Sequence, residues 1–452
     1  MTDALPPDDF ARNTSLTVKY QTARREVTRS VAIGQSAIDR VLPRTGPTVR
    51  GDGFAAWWGA YIRAARPPAV REPKSIRFID LFSSVGGLSL GAMEAASALG
   101  MRGVPMLAAD VDERALQVYR TNLRPRYVAP ESVRGMFDFR VSGSGQAARF
   151  AYEPEALDER LLAMAGKIDM ILAGPPCQGH SSLNNHSRHQ DPKNLLYLTV
   201  PAAAQALDAK HVVIENVPNV VADRHGVVQT TISLLRGAGY NVTCGVLAAD
   251  RFGWPQTRRR FFIVASKGAN PLELDLLSTD FKRPALPVSW LLDDLAGREL
   301  DDLDVMQSVP QLSEENAMRV NWLHDNDKYD LPNVIRPDCH KDGTTYQAVY
   351  GRMKGNQPAP TITGGFLTPG RGRFVHPTLR RVLTPREAAR IQGFPDWFDF
   401  VARPAEPPSR AEITRWIGNA VPSILGFFVT LAALGGELAA TAPFYAVDQH
   451  AS

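Results

Sequence analysis

The sequence predicts an α/β protein in which a doubly wound sheet domain is interrupted by a smaller irregular one. Three observations predict it. From Ile76 onward, short apolar runs alternate with helix-patterned stretches, as strands and crossover helices do in a largely parallel sheet. The first run ends in a glycine-rich turn, Phe82 to Gly87, that opens a helix, and the second ends in an acid, Asp110. Between residues 306 and 378 periodicity fails and turn residues dominate, before helical patterns return at 384–393 and 423–438.

The elements follow in order. Residues 1–75 form an N-terminal accessory region. Within it Val31–Leu42 is predicted as a short helix, and Phe54–Ala65, with Trp57, Trp58 and Tyr61, as an aromatic helix covering the main domain. Phe78–Phe82, Val104–Ala109, Met170–Ala173, Val212–Ile214, Val242–Leu247 and Phe261–Ala265 are predicted strands. Helices are predicted over Leu88–Leu99, Glu113–Asn122, Pro154–Ala165, Leu195–Leu207, Val227–Gly237 and Val288–Leu295. The main domain therefore spans 76–290, a linker and irregular module 291–378, the return of the chain 379–440, and a tail 441–452.

Composition bounds the class. The chain has 452 residues, 44% hydrophobic and 22% charged, enough to bury a core without disulfides. Cys177, Cys244 and Cys339 are widely spaced with no CxxC pair, which fits a reducing compartment and disfavours a structural zinc cluster. MTDALPPDDF lacks a basic start and an apolar run, and the longest apolar run, Ile424–Leu434, is of helix-core length. A cytoplasmic protein without membrane attachment is expected. Charge is uneven: residues 267–350 carry 8 Lys/Arg against 16 Asp/Glu, and residues 351–416 carry 11 against 5. An arginine-rich stretch suits phosphate contacts or a solvated face.

The strand exits carry the chemistry. Glycines at a strand-to-helix turn let backbone N–H groups approach a ligand, and an acid on the next strand end can bond ribose hydroxyls. Together, Phe82–Gly87 and Asp110 point to an adenosine-containing cofactor, although a tight turn alone explains the glycines as well. Gly174–Pro175–Pro176–Cys177–Gln178 places a thiol just past a strand end, as a nucleophile or as an inert half-buried cysteine. Glu215, in Glu215–Asn216–Val217, could stay protonated and bond a heterocycle nitrogen, or cap the following turn. Gln256, Arg258 and Arg260 alternate onto one face of a strand start, aimed at a base, a carboxylate or the Cys177 loop.

In combination these blocks resemble the DNA (cytosine-5) methyltransferase family over most of residues 76–265 and 378–435. Phe82–Gly86, Pro176–Gln178, Glu215–Val217 and Gln256–Arg260 are joined by Arg381–Pro395 and by Ile417–Pro422. Six blocks in family order exclude chance. The resemblance implies a Rossmann-like S-adenosylmethionine-dependent sheet with a small target-recognition domain. It makes Cys177 the nucleophile towards C6 of cytosine, Glu215 the acid at N3, Arg260 a contact to the flipped base and Arg258 a support of the active-site loop. Phe82, Gly86, Asp110, Leu196 and Asn419 correspond to positions around S-adenosylmethionine, and Asp138 is the candidate for a further acidic block. Gln178, Ser181, Gln256, Thr361, Thr363, Arg371 and Arg373 are implied on the DNA side. Ser84 stands where the family has glycine, which would tighten the turn on the cofactor, and His180 where it has phenylalanine. No metal is expected: His180, His186 and His189 are irregularly spaced and lack a second thiol.

The implied activity is site-specific methylation of cytosine C5 in double-stranded DNA, through base flipping and a Cys177–C6 adduct. The implied setting is a bacterial restriction–modification or phage-defence system, with a cognate endonuclease or defence-system proteins as partners, or an orphan enzyme, in each case acting as a monomer. A tRNA cytosine-5 methyltransferase and a catalytically silent DNA-binding regulator are the alternatives. The net negative charge of the recognition segment is unexpected for a DNA reader, and much of it falls in Asp293–Asp304, expected as a solvent-facing linker helix.

Overall fold

A computed structural model describes residues 16–33, 36–45, 52–70, 72–176, 196–341, 348–403 and 405–440. The first element is an antiparallel meander of β1 (Leu16–Thr22), β2 (Glu26–Ile33) and β3 (Ser36–Pro43). It replaces the helix expected over Val31–Leu42. Val27, Arg29, Val31 and Ile33 are buried at every second position, a period of two that only a strand satisfies. Helix α1 (Gly53–Ile62) follows, its free N–H groups capped by Asp52, which accepts from Phe54 and Ala55 at 2.9 and 3.1 Å. Its aromatic residues are core: Trp58 meets Trp254 and Phe427 edge-on, with ring centroids 5.9 and 5.5 Å apart, a geometry that adds to simple area burial.

Among the described residues the central sheet has seven strands. β4 (Ser75–Leu81), β5 (Arg102–Ala109) and β6 (Tyr127–Ala129) alternate with α2 (Gly87–Ala98) and α3 (Glu113–Leu123). Two short pairs follow, β7 (Phe137–Asp138) with β10 (Glu155–Ala156) and β8 (Val141–Ser142) with β9 (Arg149–Phe150). The helix expected over Pro154–Ala165 shrinks to α4 (Glu159–Leu162), because Glu155 and Ala156 are drawn into pairing with β7. Next come β11 (Met170–Ala173), α5 (Thr199–Ala206), β12 (His211–Asn216), α6 (Val227–Gly237), β13 (Tyr240–Ala248) and β14 (Arg259–Lys267). The order is β13-β14-β12-β11-β4-β5-β6, all parallel except β14, which runs antiparallel to both β12 and β13. Strand order reverses between β4 and β11, the position where open α/β sheets bind ligands beyond the strand ends.

Beyond β14 lie α7 (Leu274–Asp280), α8 (Ser289–Leu292), α9 (Glu314–Asp325), α10 (Pro385–Ile391), α11 (Arg410–Asn419) and α12 (Ser423–Ala440). The stretch 410–439 is long and apolar enough to cross a membrane by composition, yet 94% of its most apolar window is buried inside the fold. α12 is therefore a core helix. It presses on α2 where a Cβ at Gly91 would lie 2.2 Å from the Ser423 carbonyl, so only glycine fits there. β2 is locked to this pair by Arg29, which is fully buried, donates to Glu94 of α2 at 2.7 Å and lies 4.3 Å over the Trp57 ring.

The expected linker helix over Asp293–Asp304 is a run of turns. Asp294 does not face solvent alone: it bonds Arg63 at 2.8 Å and Arg390 at 2.9 Å, joining α1, the linker and α10. The segment beyond it has its own small core of Val320, Leu323, Leu331 and Val375. Its acids also find partners, since Asp325, Asp327 and Asp330 pair with Arg380, Arg352 and Arg373. The acidic and arginine-rich stretches thus meet in one module, where part of the negative charge of the first is paired with the second.

Candidate active site

β4 delivers Phe82 to a turn of unusual backbone. Phe82, Ser84 and Gly86 have φ of 60°, 46° and 89°, and only glycine takes such values without strain. An aromatic residue there is an outlier, and outliers of this kind concentrate where a ligand is held. The turn is pinned from below: Ser83 N–H donates to the Ala109 carbonyl at 3.0 Å, and Ser84 N–H to Asp110 Oδ2 at 2.8 Å. Asp110 Oδ1 accepts from Asp112 N–H at 2.9 Å, so its carboxylate is fixed at the end of β5. Burial pushes the Asp110 carboxyl up, opposed by these backbone bonds. The Ser84 departure thus leaves the turn intact at the cost of a strained residue.

The end of α11 closes the same corner. A Cβ at Gly87 would lie 2.6 Å from the Val421 carbonyl and 3.3 Å from Ala420, so the residues just past α11 pack on the start of α2, next after the exposed Asn419. Asp112 secures that helix, accepting from Arg415 at 2.7 Å and from Trp416 at 2.8 Å. Burial pushes the Asp112 carboxyl up, but the Trp416 and Arg415 bonds outweigh it and hold it below the usual range. Sequence reasoning missed Val111, an apolar side chain 74% exposed between two anchored acids; an isolated valine between aspartates carries no motif. It also missed the Ser83 hydroxyl, buried without a hydrogen-bond partner beside the turn. An orphaned donor, a fixed carboxylate and an exposed apolar side chain suit an adenosine-type cofactor.

Glu215 ends β12 in the adjoining corner. An atom at the missing Cβ of Gly174 would lie 3.6 Å from Glu215 Oε2 and 3.9 Å from the Phe82 carbonyl. The exit of β11, the cofactor turn and Glu215 therefore meet. Asn216 fixes the exit by donating to the Pro175 carbonyl at 3.2 Å. Glu215 is 9% exposed and paired with Arg260, Nε to Oε1 at 2.6 Å. Burial pushes its carboxyl up, while Arg260 and then Arg258 pull it down. A desolvated carboxyl poised between these influences can hold a proton or an ion pair.

Arg258 does not share that role. It is buried at 1% exposure and donates to the Ile362 carbonyl at 2.6 Å and the Gly418 carbonyl at 3.0 Å. Thr361 and Thr363 flank Ile362, so Arg258 ties their segment to the end of α11. Gly364 packs there so tightly that a Cβ at Gly418 would lie 2.2 Å from its nitrogen. The single face expected for Gln256, Arg258 and Arg260 is thus divided. Gln256 is fully buried in a bridge to Ala359, with both side-chain polar atoms unpartnered.

Arg371 is exposed at the end of a short 3₁₀ turn. Arg373 is engaged inside its module, donating to the Tyr329 and Arg352 carbonyls at 2.7 and 3.1 Å and to Asp330 at 2.5 Å. Leu196 is half-buried in the turn leading to α5, and Asp138 is exposed, accepting from the Tyr152 hydroxyl at 3.0 Å. Cys177, Gln178 and Ser181, with His180, His186 and His189, lie outside the described residues.

Comparison with known proteins assigns the family. The model of the C-5 cytosine-specific DNA methylase family matches residues 76–432. The chain is 40% identical over 368 residues to the Type II methyltransferase M1.BsuMI of Bacillus subtilis (strain 168), covering 81% of this chain and 82% of that one. It is 28% identical over 355 residues to the Type II methylase M.HgiDII of Herpetosiphon aurantiacus, covering 77% and 92%. Among solved structures, the Entamoeba histolytica methyltransferase EhMeth shares the fold with a TM-score of 0.52 at 16% identity, covering 80% of this chain and 98% of that one. A strained glycine turn, a fixed acid on the next strand and a buried glutamate beside a Pro-Pro-Cys exit are what the matching sequence blocks encode, and the chain belongs to the C-5 cytosine-specific DNA methylase family, as a DNA cytosine-5 methyltransferase.

Proposed function

We propose that this enzyme methylates one cytosine within a short recognised site of double-stranded DNA after rotating that base out of the duplex. The observation that carries the reading is the meeting of Glu215, paired with Arg260, with the Gly174–Pro176 exit that leads directly into Cys177. A stacked cytosine hides C5 and C6, so the base must leave the helix. Cys177 thiolate adds to C6, forming a C–S bond, while Glu215 holds a proton at N3 and the displaced electron pair makes C5 nucleophilic. S-adenosylmethionine, when bound, supplies the electrophilic methyl group that C5 takes up. Transfer of the C5 proton to a solvent base then returns its electron pair to the C5–C6 bond, breaks the C–S bond and releases Cys177 as thiolate.

Phe82, Gly86, Asp110, Leu196 and Asn419 hold the cofactor in this reading, Asp110 through the ribose hydroxyls. Arg260 orients Glu215 and the base, and Arg258 is a positioning residue. Gln178, Ser181, Thr361 and Thr363 face the DNA, buried Gln256 supports their segment through its bridge to Ala359, and exposed Arg371 lies on phosphate with Arg373 framing the module. The chain works as a monomer on the nucleoid in the bacterial cytoplasm, within a restriction–modification or phage-defence system beside a cognate endonuclease.

The test is a genome-wide 5-methylcytosine map from a methylation-free bacterial host expressing the wild-type chain or Cys177→Ser. Methylation at one short motif, lost in the variant, is the expected result. Soluble wild-type protein that leaves DNA unmethylated but modifies tRNA would replace this reading, and methylation retained by Cys177→Ser would refute the covalent route.

A further inference from the structure

Beneath the cofactor turn lies a buried polar chain that the chemistry above does not use. Asp80, the penultimate residue of β4, is 1% exposed and accepts from Ser89 Oγ at 2.6 Å. Ser89, fully buried in the first turn of α2, lies 2.8 Å from the Tyr119 hydroxyl of α3. A serine has one hydroxyl proton, so with Ser89 donating to Asp80, Tyr119 must donate to Ser89. The chain therefore runs Tyr119 to Ser89 to Asp80, linking α3, α2 and β4. The same Tyr119 ring backs the turn: a Cβ at Gly86 would lie 2.7 Å from Tyr119 Cδ2. Its hydroxyl thus fixes the ring against the one glycine whose left-handed φ lets the turn enter α2.

We propose that Tyr119 and Ser89 are positioning residues for cofactor capture, which act through Asp80 and Gly86 to hold Phe82–Gly86 in its strained, left-handed form. The proposal rests on the reading that this turn receives S-adenosylmethionine. Without the chain the turn relaxes among other backbone conformations, and cofactor affinity falls by the fraction of molecules that leave the competent form. Transfer in the assembled complex is unchanged, since neither side chain reaches the base. Burial pushes the Asp80 carboxyl up to about 7, opposed by the Ser89 bond and helped by the nearby Asp110 charge.

The test uses the full chain in Tyr119→Phe, Ser89→Ala and the double variant, each small enough to keep the packing. Binding of S-adenosylmethionine is measured by calorimetry, together with KM for S-adenosylmethionine, KM for DNA and kcat. Each single variant is expected to raise Kd and KM for S-adenosylmethionine about tenfold, with kcat and the KM for DNA unmoved. The double variant is expected to match the worse single one, because a chain cut once is already cut. Tyr240→Phe, which removes another buried hydroxyl donor, shared by the Ala209 and Ala204 carbonyls, controls for lost stability and should leave Kd unchanged. Wild-type Kd in both single variants, or additive losses in the double, overturns the proposal while the cofactor reading stands. A wild-type chain that fails to bind S-adenosylmethionine removes the cofactor reading itself, and the proposal with it.

Discussion

Arg258 and Arg260 stand two residues apart at the start of β14, yet their guanidiniums serve different elements. Arg260 reaches Glu215 at 2.6 Å, and Arg258 turns away to the Ile362 and Gly418 carbonyls. One strand start thereby supplies a partner for the buried acid and a clamp between the recognition module and the end of α11. A cation on the last carbonyls of a helix also opposes the negative end of its dipole.

The two arginines should fail differently. Glu215→Gln and Arg260→Ala are expected to lower kcat by about 10²–10⁴-fold, the range for a positioned proton-bearing group, with S-adenosylmethionine affinity retained. Single-turnover methylation of a short duplex reads this directly. A Glu215→Gln enzyme within a factor of a few of wild type would remove Glu215 from the chemistry.

Arg258→Ala leaves two carbonyls without their buried donor and should cost about 3 kcal/mol of stability or more. Arg258→Lys cannot reach both carbonyls with one ammonium and is expected to keep most stability while raising the KM for S-adenosylmethionine through displacement of Asn419. Urea denaturation alongside kinetics separates the two effects. A lysine variant with unaltered KM would limit the clamp to stability.

In the recognition module, Arg371→Ala should weaken DNA binding uniformly across sequences and reduce the slope of log K against log salt by about 0.9, the value for one lost phosphate contact. Arg373→Ala should instead lower the Tm. Fluorescence anisotropy over a salt series distinguishes them, and an unchanged slope for Arg371→Ala would take that residue off the phosphate backbone.

His376 makes stability depend on pH where the chain returns from the module. Its Nδ1 accepts from Thr378 and Leu379 N–H groups at 3.1 and 3.0 Å, and burial lowers its pKa to about 4, although Glu387 pulls it up. The unfolded chain binds a proton near pH 6.5 and the folded chain does not. Stability from this group is therefore complete above pH 6.5 and declines as pH falls towards 4, by about 3 kcal/mol. His376→Asn should remove that part of the slope in unfolding free energies measured between pH 4 and 7.5. Parallel curves for the two proteins would contradict the assignment.

The N-terminal meander is held by an ion pair with almost no access to water. Arg29→Met leaves Glu94 buried and unpaired, at a cost of about 3–5 kcal/mol, whereas Arg29→Met with Glu94→Gln should recover much of it. Thermal unfolding of the three proteins tests this. A single variant as stable as wild type would mean that the meander is only loosely attached.

The sheet was legible because its strands are short apolar runs with helices between, and burial on both faces leaves little else for such runs to be. The chemistry-bearing turns were legible because Gly174, Gly86 and Pro175–Pro176 are written where the backbone must bend. Helix α11 could have been found from Ser409 and Glu412, which form a reciprocal capping box. The β2–β3 hairpin was misread because residues 31–42 carry apolar residues at spacings that suit a helix as well as a strand, and the burial of Arg29 that settles the period depends on Glu94, 65 positions away.

Sequence by itself determined the residue types at each strand exit and hence the family, since those are local choices repeated in order along the chain. Tertiary structure alone decided what each side chain touches. Alternation put Arg258 and Arg260 on one face, but the positions of Ile362 and Gly418, 104 and 160 residues downstream, turned one guanidinium from the acid to the clamp. The acidic module likewise appears as a net charge in sequence, while in space Asp325, Asp327 and Asp330 each stand against an arginine. Pairing depends on which segments the fold brings within a few ångströms, and Coulomb and hydrogen-bond energies at that range outweigh any pattern carried by neighbours along the chain.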